Sequence, residues 1–78
     1  MPITPQPDWV VTQRQTVGDR IRHARRDANL TQMKLAGLIG VDHRTIHRIE
    51  HGTSDPTLGL LIMLAAALQV PLADLVRQ

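Results

Sequence analysis

The stretch from Thr31 to Gly52, TQMKLAGLIGVDHRTIHRIEHG, constrains this chain more than any other. Counted from Gln32, a small Ala36 comes four residues on, Gly40 eight on, Ile46 fourteen on and Ile49 seventeen on. An alanine on one helix lets a second helix cross it closely. A glycine between them supplies a tight left-handed turn, and two isoleucines three residues apart anchor the second helix along one side. Thr31 is a good N-cap for the first helix, which runs through Met33, Leu35, Ala36, Leu38 and Ile39 and stops at Gly40. Asp42 caps the second, which Gly52 ends.

Helical periodicity continues on both sides. Pro2, Pro5 and Pro7 mark residues 1–7 as extended or disordered, within an N-terminal arm drawn to residue 11; the domain proper spans 12–78. Val10, Val17, Ile21, Ala24 and Ala28 recur at helical spacing, Thr16 with Asp19 offers a capping box at one possible start, and this first helix ends near Asn29. After a turn at residues 53–56, Thr57 caps a fourth helix through Leu58, Leu61, Ile62, Ala65 and Leu68. Pro71 opens a short fifth helix with Leu72, Leu75 and Val76. The expected fold is all-α, a compact five-helix bundle in which the second and third helices have the spacing of a helix-turn-helix.

Composition agrees. Seventy-eight residues, 42% of them hydrophobic, make one small domain near the lower limit for a self-sufficient core, so a partner subunit would help. Trp9 is the sole aromatic residue, leaving Leu, Ile, Val and Ala to fill a core, as suits helices. The absence of cysteine excludes disulfides and thiolate metal sites and fits a reducing compartment. The opening MPITPQPDW lacks the basic flank and apolar run of a signal peptide, and the apolar run from Leu58 to Leu68 is too short to span a bilayer. A soluble, cytoplasmic chain without a membrane partner is expected.

Net charge is only +2, but eight of the nine basic residues are arginine. Arginine is preferred where phosphates or guanines are held by a planar fork. Five arginines lie between Arg14 and Arg26; for Arg20, Arg22 and Arg26 a solvated helix face is the simplest account.

The run VGDRIRHARRDANLTQMKLAGLIGVDHRTIHRIEHGTSDPTLGLLIMLAAALQVPLADLV, residues 17–76, resembles the phage-repressor and Cro-type helix-turn-helix family. The resemblance implies a lambda-repressor-like DNA-binding domain of five helices whose third helix enters the major groove, usually as a homodimer on a palindromic operator. Thr31-Gln32 matches the family's opening of the second helix, where the Gln contacts phosphate. Arg25 and Glu50 match a basic and an acidic residue that form an internal salt bridge.

His43, His47 and His51 fall on one stripe of the third helix, with Arg44 and Arg48 beside them and Ile46 and Ile49 opposite. Three readings compete. A metal site needs three or four convergent ligands, and two permanent guanidinium charges beside it oppose a divalent cation. A solvated polar face is the plain alternative. DNA reading leads, because Arg44 and Arg48 can each grip guanine O6 and N7 together. His43 and His47 would donate to bases, while His51 and Gln32 hold phosphates. Asp42 is a cap first, though an acid there could accept from a cytosine amine. No cofactor is implied.

The chain departs from the family at two places. The loop after the third helix carries Thr53, Ser54 and Asp55 where relatives often carry Lys or Arg. Gly59, Leu60, Met63 and Ala66 replace polar residues of the fourth helix, so that helix is apolar all round and must be covered on both sides. With Leu72, Leu75 and Val76 of the fifth helix, these define an expected homodimer interface. A sequence-specific regulator on an inverted repeat is the leading function. The alternative is an antitoxin-like module that holds a partner protein, such as a toxin, and autoregulates through DNA. An enzyme is the weakest option, since no nucleophile and base pairing, phosphate loop or complete metal set is visible.

Overall fold

The computed structural model describes residues 5–78; the expectation for Pro2 lies outside the described residues. Five helices follow in order: α1 (Asp8–Asp27), α2 (Gln32–Ile39), α3 (His43–Glu50), α4 (Leu58–Leu68) and α5 (Leu72–Val76). The described residues contain no strand. Nor do they contain a helix long and apolar enough to cross a membrane.

Four of the five helices end where local chemistry says they should. Thr31 Oγ1 accepts the Lys34 amide at 3.1 Å, Asp42 Oδ1 the Arg44 amide at 2.8 Å, and Thr57 Oγ1 the Leu60 amide at 3.1 Å. Each satisfies a donor that the first helical turn leaves open. Gly40 (φ 73°) ends α2, letting Val41 N–H reach the Ala36 carbonyl, and Gly52 (φ 69°) closes α3. Asn29 and Gln69 do the same for α1 and α4 at φ 58° without a glycine.

The start of α1 corrects the sequence reading. The helix begins at Asp8, so residues 8–11 are its first turn and not part of the arm. Pro7 precedes it and the Asp8 carboxylate sits at the positive end of the helix dipole. Thr16 caps nothing: its hydroxyl donates to the Thr12 carbonyl inside the helix, and Asp19 pairs with Arg22.

The core collects Ile21 from α1, Leu35, Ala36 and Ile39 from α2, Ile46 and Ile49 from α3, Leu64, Ala65 and Leu68 from α4, and Leu75 from α5. Burying a side chain such as Ile46 or Leu64 contributes about 1.5–3 kcal/mol, and the small α5 is held by the buried Leu75, with Leu72 half-buried against the same core. That is a second correction. Leu75, expected at an interface, is 1% exposed and belongs to the monomer's own core. Leu60 and Leu72 are half-buried against the same core. Gly59, Met63, Ala66 and Val76 are exposed. Leu58 and Ile62 of the same helix also face outward.

Candidate nucleic-acid interface

The geometry of α3 follows from what holds its inner side. Ile46 and Ile49 are buried, which leaves His43, Arg44, His47, Arg48 and His51 exposed on the opposite side. Gly18 of α1 sits under the end of the helix. A Cβ there would stand 2.8 Å from the Glu50 carbonyl oxygen and closer still to that of Ile49, so only glycine permits this approach. Arg14 Nε donates to the Gly52 carbonyl at 2.8 Å, and Arg14 Nη1 to Gln6 Oε1 at 2.6 Å. Gln6 in turn donates to Asp55 at 2.8 Å, so the approach to α1 is tied to the loop after α3.

A buried ion pair fixes the same end. Arg25 Nε donates to Glu50 Oε2 at 2.6 Å and Nη2 to Glu50 Oε1 at 2.9 Å, while Nη1 donates to the Leu30 carbonyl at 2.9 Å. Gln32 Nε2 also donates to Glu50 Oε1, at 3.2 Å. The carboxylate therefore links α1, α2 and α3. Its hydrogen bonds hold the Arg25 guanidinium above the usual arginine range, against the opposing effect of burial. Gln32, expected to meet phosphate, is thus half-buried and engaged by Glu50. Its amide NH2 has a second hydrogen with which to reach outward.

At the other end of α3, the hydrogen bond from the Arg44 amide holds the Asp42 carboxyl below the usual carboxylate range, with Arg44, His43 and Arg48 adding to the effect. The sign follows: what this cap lends to α3 is present above the ordinary carboxylate range and is lost as pH falls below it. His43 Nδ1 lies 3.6 Å from Asp42 Oδ1. The His47 and His51 rings stand 4.1 Å apart, centroid to centroid, tilted by 31°. Among the described residues, no three His, Asp or Glu side chains gather as a metal ion would require.

Three residues on α1 went unassigned or misassigned in the sequence reading. Arg20 is not simply solvated: it donates to the carbonyls of Leu75 and Arg77 and so closes the end of α5. Arg14 had no sequence signal, because its partner is a backbone carbonyl 38 residues away. Gly18 had one, a glycine inside a helical pattern, which marks a close backbone approach. Two apolar depressions flank the bundle. Trp9, Val10, Val17, Pro56 and Leu61 line one; Leu38, Ile39, Met63 and Ala66 line the other, between α2 and α4.

A short polar helix pinned by its apolar edge across a tight turn defines a helix-turn-helix domain. The HTH_3 helix-turn-helix family model matches residues 21–75, and the chain belongs to that family. It is 36% identical over 58 residues to the HTH-type transcriptional regulator DicA of Escherichia coli, covering 74% of this chain and 43% of that protein. The chain therefore spans less than half the length of this curated relative. Among solved structures it is similar to the restriction-modification controller protein C.AhdI from Aeromonas hydrophila, with a TM-score of 0.76 at 30% identity over 82% of this chain and 96% of that one. It is also similar to the clp gene regulator ClgR from C. glutamicum, with a TM-score of 0.77 at 27% identity, covering 81% and 82% of the two chains.

Proposed function

We propose that this chain is a sequence-specific, DNA-binding transcriptional regulator with no enzymatic activity, that α3 is its recognition helix, and that it acts in the cytoplasm as a homodimer on an inverted repeat. The observation that carries the reading is the outer side of α3, where two arginines and three histidines stand exposed while the buried Ile46, Ile49 and Glu50 hold the helix rigidly from behind. Arg44 and Arg48 are assigned to guanine edges, His43 and His47 to bases, and His51 and the free hydrogen of the Gln32 amide to phosphates. Asp42 holds the helix start and stands where it could accept from a cytosine amine. The regulatory roles in the names of its relatives support the assignment.

The homodimer is supported by exposed apolar side chains on one flank: Leu38 on α2 is 62% exposed and Met63 on α4 is 47% exposed. A twofold mate there would carry two copies of α3 to successive major grooves, with half-sites about 34–36 Å apart. An antitoxin-like role, in which a different protein covers this flank, is the competing reading.

Selection of duplexes from a random pool tests the function directly. Arg44→Ala and Arg48→Ala should each weaken the selected duplex by about 1–3 kcal/mol and relax base preference. Unchanged affinity in both variants, with helical content intact by circular dichroism, would overturn the recognition-helix assignment.

A further inference from the structure

What His51 can offer a nucleic acid is decided by the carbonyl of His47. His51 Nδ1 lies 2.8 Å from that oxygen. A carbonyl only accepts, so Nδ1 carries the hydrogen of the bond, and a neutral imidazole has just one N–H. Its Nε2 is then a bare lone pair on an exposed ring.

We propose that His51 is a proton-gated contact: neutral, it presents only an acceptor at Nε2, and protonated, it presents a donor. This rests on the DNA-binding role proposed for α3 and deepens it. The acceptor form matches amines on base edges, at cytosine N4 or adenine N6, and repels a phosphate oxygen. The protonated form grips a phosphate oxygen or guanine N7 from the same position. A phosphate contact through His51 therefore requires the uptake of a proton.

On α3 itself Arg48 comes three residues before His51 and Arg44 seven before it, and Arg14 from α1 is held on the carbonyl of Gly52, next to His51. α2 contributes Gln32, tied to Glu50, and Lys34 in its first turn. Of the acids, Glu50 is met by Arg25, Asp55 accepts from Gln6, and Asp42 lies at the far end of the helix beside His43. By linkage, a contact that needs a proton makes the duplex bind more tightly as protons are supplied. The His47 ring lies 4.1 Å away on the same helix.

Two measurements test the proposal. Long-range nitrogen–proton correlation spectra of the free, 15N-labelled protein read the tautomer of His51, with Nδ1–H expected. Affinity for a duplex selected at pH 6 is then followed from pH 8 to 6 at constant ionic strength. The parent should gain up to ~10-fold per pH unit through the imidazole range from this one proton. His51→Gln, whose amide donates at every pH, should lose that share of the slope. His23 makes the same bond on α1, to the Asp19 carbonyl, and His23→Gln should titrate like the parent. An Nε2–H tautomer in free His51, or an unchanged slope in His51→Gln, would overturn the inference while DNA binding stands. Failure to bind any duplex at any pH would sink the proposed function, and this inference with it.

Discussion

The Arg25 guanidinium lies against the Glu50 carboxylate across the α1–α3 contact, Nε to Oε2 at 2.6 Å and Nη2 to Oε1 at 2.9 Å, with the Glu50 side chain 0% exposed. Removing one partner leaves the other charge buried and unpaired. Glu50→Gln and Arg25→Met should each cost roughly 3–5 kcal/mol, read from urea unfolding followed by circular dichroism. A near-neutral result would mean that the site admits water. The pH sign for Arg25 is also set: a cation whose proton affinity is raised by folding lends stability that is fully present below the ordinary guanidinium range and is lost only as pH climbs through the raised value. The urea midpoint should therefore owe no loss to Arg25 between neutral and mildly alkaline pH.

Gly18 is the point where α1 lets α3 come close. Gly18→Ala places a methyl against the backbone carbonyls of Ile49 and Glu50, which cannot yield as a flexible side chain would. Overpacking of this kind costs about 1–3 kcal/mol, and the upper end is expected because the obstacle is backbone. Thermal unfolding should show a lowered Tm, and the displaced α3 should bind the selected duplex more weakly than the loss of folded protein explains. An alanine variant as stable as the parent would contradict the close approach.

Met63 and Leu38 test the assembly. Both are exposed and line the depression between α2 and α4, so Met63→Glu and Leu38→Glu leave the monomer's core untouched. If a second copy covers this flank, sedimentation at micromolar concentration should show a dimer for the parent and monomers for both variants, with cooperative loss of binding to the inverted repeat. A parent that sediments as a monomer and binds a single half-site at full affinity removes the homodimer. Such a monomer that becomes stable only with a different protein on the flank favours the antitoxin-like alternative.

Much of the molecule was legible in the chain because it depends on neighbours within a turn of one another. Thr31, Asp42 and Thr57 cap their helices through hydrogen bonds to amides two or three residues ahead, and Gly40 and Gly52 adopt left-handed backbone that favours glycine. The outward position of Arg44, Arg48 and the histidines follows from the inward position of Ile46 and Ile49 on the same short helix. The pairing of Arg25 with Glu50 was available only through the family resemblance, since 25 residues separate them.

Tertiary structure alone decided which apolar residues the core takes. α4 is apolar on every side, so its sequence has no stripe to point inward; the positions of α2 and α5 select Leu64, Ala65 and Leu68 and leave Leu58, Ile62 and Met63 outside. α5 is too short to show a period, and Leu75 was claimed by the core rather than by an interface. Arg14 carried no signal and Arg20 looked like surface charge because their partners, Gly52 and the end of α5, are backbone carbonyls brought near only by folding. Caps and turns are set by local hydrogen bonds and backbone sterics that a short peptide already contains. The choice of an inward face for α4 and of partners for long side chains is set by competition for space among five helices, which exists only once they have packed.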